Sequence, residues 1–525
     1  MKLGHWLAMT KRSICVESWL GQQRNRAGDG GSSPKNPTGL PVDNPSQPYW
    51  LSEPSEILLG YRTTKDLPQT TDVLIIGSGI TGAFAAHFLK QKAPNLNVVM
   101  LEAREACWGA TGRNGGDCQP GYYVSPPHIA AFEHRTYCYL KEFVESHSIP
   151  CDWRTTTGVH GFYSPKLFTS ARRIIERIQE KYPDIGANIA VVTKEGSESP
   201  SSFLQSERNL KELTLEDLRV GAAEGAVVQS NAASLWPHTP VTGLKRVELP
   251  AGKSSSHPDA NKAESGRWTA HTSRGDISAR HVLLATNAYT SHLLPQFADI
   301  IVPVRGQVSS FKSSSSAQPA KDPLDIGHTF YFVSDLTYRM DDYLVQRPPP
   351  GAELFYGGGR IHAEGHGLGV WDDSVIDEPV ARYLKHELGR LMDLSTHEQR
   401  NAQGEYGVHS SKPDIEPTFE WSGIMGFSRD GWPWVGPVPE TAGGEGGLWL
   451  CAGYSGGGMP NAVLCAKAVV DMMTPSHEDG DEMAGQVDLP PEYLLTEDRL
   501  EKARACETVA EADKRGAFML DLDIS

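Results

Sequence analysis

TDVLIIGSGITGAFAAHFLKQKAPNLNVVMLEAREACWGATGRNGGD, residues 71–117, carries its signals in a fixed order. Asp72–Ile76 is a short, β-branched, apolar run of the kind that forms a buried parallel strand. Gly77, Gly79 and Gly82 follow in G-x-G-x-x-G spacing, with Ile80 and Thr81 between them. Ala83–Lys90 predicts a helix, and Val98–Leu101 a second strand ending at Glu102. Gly77 permits the tight turn, Gly79 lets a pyrophosphate approach the backbone, and Gly82 lets helix and strand pack closely. The helix N-terminus offers free N–H groups to phosphate. Glu102, followed by Ala103 and Arg104, stands where a carboxylate can bind both hydroxyls of a ribose. Strand, loop, helix, strand and acid together predict a dinucleotide site. An ordinary glycine turn in an α/β core is the alternative.

Gly109-Ala-Thr111-Gly112-Arg113-Asn114-Gly115-Gly116 is a second glycine-rich loop close behind Glu102. A nicotinamide enzyme has no need of it. An extended FAD does, for N–H donors and a cation beside its pyrophosphate and ring. The run EAREACWGATGRNGG resembles the D-amino-acid oxidase family of FAD enzymes. It is most similar to the branch containing gamma-glutamylputrescine oxidoreductase. The resemblance implies that Thr111 to Gly116 lie near the flavin and its phosphates. Ala285-Thr286-Asn287, at the end of an apolar strand from His281, resembles the family's second signature, with Thr286 and Asn287 facing the cofactor. Trp421–Gly436 resembles the closing signature, after which Gly456, Gly457, Gly458 and Met459 would bring amides to the flavin. The resemblance covers about residues 38–505.

The family implies a doubly wound, Rossmann-like FAD domain interleaved with an α+β substrate domain on a mixed, largely antiparallel sheet. The boundaries expected are a disordered extension over 1–45 and FAD-binding segments at 46–150, 221–300 and 419–475. The substrate domain takes 151–220 and 301–418, and 476–525 is an acidic tail with one helix, Glu497–Ala512. Pro48-Tyr49-Trp50 reads as an arm packed across the core. At Trp236-Pro237-His238 an expected helix and strand are absent, a shortfall of about 20–30 residues for such a crossover. A gene-model error or skipped exon is the simplest account, and a genuinely shortened variant is the alternative. Lys253–Gly266 and Ser313–Ser316 read as hairpin tips.

The implied activity is oxidation of an amine or amino acid C–N bond by hydride transfer to flavin N5, with O2 as acceptor and peroxide as product. A dehydrogenase using another acceptor is one alternative. A non-catalytic remnant, with FAD binding impaired by the missing crossover, is another. Positioning and flavin electronics carry such catalysis, so no side-chain acid or base is assigned. Arg305, Arg339, Arg347 and Arg360 are candidates for a substrate carboxylate, because the guanidinium fork matches it. Tyr331 and Tyr343 are candidate pocket walls. Structural ion pairs and core packing are the alternatives for these residues.

The 525 residues allow two to four structural units. A net charge of -16 argues against nucleic acid and anionic membrane as partners. The 8 cysteines form no C-x-x-C pair and no zinc spacing, which predicts a reduced, cytoplasmic chain without metal. Cys107 could carry a covalent flavin, though a small core residue is the simpler role. No apolar run nears the about 18 residues of a membrane span. The terminal Leu522-Asp-Ile-Ser525 is not a peroxisomal tripeptide.

Overall fold

In the computed structural model the chain passes back and forth between two sheets. β1 (Thr70–Ile76) and β2 (Val98–Leu101) begin the first. β3 (Asp117–Cys118), β4 (Arg154–Phe162), β5 (Ile189–Thr193), β6 (Gly196–Ser197) and β7 (Gly225–Ser234) belong to the second. β8 (Trp268–Thr272) and β9 (Gly275–Leu284) return to the first. β10 (Ile301–Phe311), β11 (Thr329–Val333), β12 (Asp342–Gln346), β13 (Leu354–Gly357) and β14 (Phe419–Ser428) complete the second. β15 (Trp434–Pro437) and β16 (Leu448–Ala452) close the first. The structure describes residues 37–197, 213–235, 268–312, 324–335, 342–348, 351–395, 416–475 and 487–515, all within one compact unit, Asn36–Ser525.

The first sheet runs β15-β16-β9-β1-β2, with β8 paired to β9. β2, β1, β9 and β16 are parallel, as a doubly wound domain requires. Val73, Leu74 and Ile75 are fully buried because helices and strands cover both faces of a central parallel strand. α1 (Ile80–Lys92) leaves β1 through the first glycine loop, and its Ala85, Phe88 and Leu89 share a core with Val463, Ala466 and Val470 of α5 (Ala462–Met473). The second sheet runs β14-β10-β13-β12-β11-β4-β7-β5-β6, with β3 on β7. It is mixed: β11 and β4 are parallel and the other pairs antiparallel. These are the two interleaved sheets the sequence predicted.

Helix boundaries follow local chemistry. α2 (Pro127–Ser146) begins with proline at its first position. α3 (Pro165–Lys181) starts where Ser164 caps it, its Oγ accepting from the Leu167 N–H, and Pro165 fits N1. α4 (Glu378–Leu391) covers the second sheet with Leu384 and Leu388. Near the C-terminus, α6 (Glu497–Ala505) and α7 (Val509–Arg515) replace one continuous helix. Thr508 explains the break. Its amide and hydroxyl donate to Glu511 while its Oγ accepts the Glu511 N–H, a reciprocal capping box that starts a new helix.

The expectations for most of the N-terminal extension, the 237–238 junction, both hairpin tips, Arg339 and the two ends of the acidic tail, 476–486 and 516–525, lie outside the described residues.

Candidate active site

All three glycine loops border one cleft of about 1730 Å³. An ordinary small-ligand pocket holds about 300–1,000 Å³, so this cleft has room for an extended dinucleotide and a substrate beside it. Gly77, Gly79, Ile80 and Thr81 line it from the first loop, and Thr111, Arg113, Asn114 and Gly115 from the second. Glu102, Ala103, Arg104, Thr286, Asn287, Gly456, Gly457, Gly458 and Met459 line it too. Gly82, Gly112 and Gly116 do not; they let the loops close up. A Cβ on Gly82 would sit 2.0 Å from the Gly77 carbonyl oxygen, one on Gly112 2.1 Å from that of Cys107, and one on Gly116 2.6 Å from that of Leu235.

The loops are tied to each other by their own polar groups. Glu102 accepts the Ser78 N–H and hydroxyl at 3.0 and 2.6 Å, and the Arg104 N–H at 3.1 Å. The Thr111 hydroxyl accepts the Ile80 N–H at 3.1 Å, joining first loop to second. Asn114 closes its own loop, donating to the Thr111 carbonyl and accepting the Gly116 N–H. Trp50, 1% exposed, donates to the Asn114 carbonyl, so the N-terminal arm braces the second loop. Asn287 accepts the Gly453 N–H at 3.0 Å and thereby sets the entry to the third loop, while Thr286 bonds Thr290.

Arg113 is 2% exposed. It donates to the Ser422 and Ser46 carbonyls and lies 3.3 Å from Asp373, which also pairs Arg104 at 3.0 Å. Burial pushes its guanidinium down to about 10, against the pull of Asp373. Its Nη1 is buried without a hydrogen-bond partner among the described residues. The α5 N-terminus follows the third loop, and Pro460 and Ala462 line the cleft. A glycine cradle, a helix N-terminus, an unsatisfied guanidinium N–H and a carboxylate after β2 form the donor and acceptor set of a pyrophosphate and ribose site. The residues present therefore fit FAD. Cys107 does not line the cleft, and burial, then Glu102, pushes its thiol up to about 12, so no thiolate is offered for a covalent flavin bond.

The opposite wall is the second sheet. Tyr331 pairs with Tyr343 across β11–β12 and with His160 across β11–β4, so the three share one face. The Tyr343 ring sits between two glycines: a Cβ on Gly115 would lie 2.2 Å from it, and one on Gly357 2.5 Å. Burial pushes His160 down to about 3, and it bonds Tyr123 and Gln119 as a neutral ring. The Tyr331 hydroxyl donates to Asp117 Oδ2 at 2.6 Å. Asp117 is pushed up to about 7 by burial, which outweighs the Tyr331 and Cys118 donors.

The arginines separate. Arg347 does not line the cleft; Tyr49, Asp152 and Glu353 hold it elsewhere. Arg305 pairs Asp377 away from the lining. Arg360 does line the cleft, 4% exposed, but pairs Asp513 at 3.2 Å. Asp117, Gln119 and Gln307 line the cleft without having been singled out in the sequence. No group of His, Cys, Asp or Glu among the described residues could hold a metal ion, and no described helix is long and apolar enough to cross a membrane.

Residues 72–472 match the family described as DAO, FAD dependent oxidoreductase. The probable oxidoreductase OrdL of Rhizobium meliloti is 23% identical over 421 residues, 76% of this chain and 82% of the relative. Gamma-glutamylputrescine oxidoreductase of Escherichia coli is 20% identical over 434 residues, 79% of this chain and 86% of the relative. Among solved structures, L-proline dehydrogenase from P. horikoshii aligns with a TM-score of 0.54 at 17% identity, over 84% of this chain and 100% of its own. Glycine oxidase from Geobacillus kaustophilus aligns at 0.52 and 17% identity, over 81% and 100%.

Proposed function

The chain belongs to the DAO family of FAD-dependent oxidoreductases, and from that premise we propose that it oxidises the C–N bond of a small amine or amino acid, with dioxygen as final acceptor. One observation carries this reading. The cleft that joins the three glycine loops also opens onto Tyr331, Tyr343 and Asp117 of the second sheet. FAD held by these loops would supply a two-electron acceptor.

The chain's own residues supply binding and shape. Backbone amides of the first and last loops, with Arg113 and Glu102, would hold the dinucleotide. Tyr331 and Tyr343 present an apolar, water-excluding surface with hydroxyls that burial keeps protonated. Such a wall suits a small organic substrate held close to the cofactor. The substrates in the names of the relatives, gamma-glutamylputrescine and glycine, are of the proposed class.

The test is a visible spectrum of the purified protein, followed by amines and amino acids added without oxygen. The expected result is a yellow protein whose flavin band bleaches with at least one of them. Peroxide formed in air then marks an oxidase, and its absence a dehydrogenase using another acceptor. A second reading rests on β2. Val98–Leu101 line the cleft half-buried, and among the described residues nothing pairs with the outer edge of β2. A soluble but colourless protein that takes up no added FAD would support a non-catalytic remnant.

A further inference from the structure

Asp117 brings a carboxyl group with one unpartnered oxygen to the cleft wall. Oδ2 accepts the Tyr331 hydroxyl. Oδ1 is buried and has no partner among the described residues. A buried carboxylate oxygen without a donor is costly, and a cation brought to it recovers that cost. Among the described residues no cation does so. The titratable groups that face it are Tyr331, Tyr343 and Cys118, all neutral because burial raises each well into the alkaline range. His160, packed against the Tyr331 ring at 5.1 Å, is neutral as well. The arginines of the cleft lining that form ion pairs do so with other carboxylates: Arg104 and Arg113 share Asp373, and Arg360 pairs Asp513.

We propose that Asp117, held by Tyr331, anchors the ammonium group of the substrate and accepts its proton. The inference rests on the amine-oxidising reading above and narrows it to a cationic amine, in preference to an amino acid held by its carboxylate. In the step, an N–H bond of the ammonium breaks and an Oδ–H bond forms on Asp117. The nitrogen keeps the electron pair that oxidation of its neighbouring carbon requires. The proton leaves to solvent after product release. The terminal torsion of an aspartate is soft, so either oxygen can be turned to the ligand while the other keeps the Tyr331 bond. A carboxyl that titrates near pH 7 can take and return a proton under working conditions.

The experiment uses FAD-loaded wild type and Asp117→Asn, mixed anaerobically with a panel of simple amines and of amino acids across pH 6–10. Asparagine keeps the size and can still accept from Tyr331. The expected result is that simple amines bleach the wild-type flavin. In Asp117→Asn the apparent Kd for them rises about tenfold to a hundredfold, the worth of a charge-assisted hydrogen bond. The bleaching rate of the variant then climbs with pH along the amine's own ionisation, since only neutral amine reacts, and Asp117→Glu restores part of the wild-type profile. A merely structural role would lower the melting temperature without moving that profile. Unchanged Kd and an unchanged profile in Asp117→Asn overturn the inference and leave the amine reading standing. Bleaching by amino acids alone overturns it as well. No bleaching of wild-type enzyme by any member of the panel overturns the parent reading, and the inference with it.

Discussion

An aspartate half-buried beside two tyrosines has a measurable cost in the empty protein. Burial raises Asp117 from its ordinary 3.8 to about 7. Between those values the folded chain holds a proton at this site that the unfolded chain has released. The stability gained from the neutral carboxyl is complete below about pH 4 and is lost as pH rises through 7. An asparagine side chain does not titrate, so the Asp117→Asn variant should gain on wild type with rising pH, by about 1.4 kcal/mol per unit inside that window. Denaturant unfolding of the two flavin-free proteins at pH 5 and pH 8 measures the difference, and the many other buried groups cancel in it. Equal differences at the two pH values would show that Asp117 is not a buried, cation-seeking carboxyl.

At the scale of elements, the loops work as a set because they touch. A Cβ on Gly79 would lie 3.0 Å from the Thr111 hydroxyl, so Gly79→Leu should push the first two loops apart and yield folded protein without flavin. Gly109 also lines the cleft, but a Cβ there meets nothing within 4 Å and its φ is -77°, so Gly109→Ala should load flavin normally. Flavin-to-protein absorbance ratios decide between them; full loading of Gly79→Leu would refute the assignment. These loops were legible in the sequence because their meaning is local: strand, glycines, helix and acid follow within a few dozen residues. Asp117 closes the same stretch but was not legible as a site residue. Its position depends on pairing with Ser234 in β7 and on Tyr331, 214 residues away. Arg347 misleads for the same reason, since Tyr49 and Asp152, which engage it, are 298 and 195 residues distant. The helix break at Thr508 was readable in principle from Thr508-Val-Ala-Glu511, a capping-box pattern inside an otherwise helical run.

Across the whole molecule, the C-terminal segment joins the two sheets. Leu500 and Ala503 of α6 share a core with Leu74, Val282 and Leu450 of the first sheet. Val509 of α7 packs with Val302, Val304 and Phe427 of the second, and Asp513, also on α7, pairs Arg360 at the cleft wall. The last helix therefore sets the charge presented to the cleft. While Asp513 is in place, the Arg360 guanidinium is neutralised, and a substrate carboxylate gains little from it. Asp513→Asn removes the countercharge from a buried arginine, which costs about 3–5 kcal/mol of stability. It also takes the Asp513 countercharge away from an arginine that lines the cleft. If the tail tunes the cleft in this way, the variant should shift preference toward substrates carrying a carboxylate, raising their affinity relative to simple amines by about tenfold. Anaerobic titration of both variant and wild type with an amine and its α-carboxylated counterpart gives the ratio directly. A ratio unchanged by Asp513→Asn, in protein that still binds flavin, would mean that Arg360 is sealed from the substrate and serves only to fasten α7 to the second sheet.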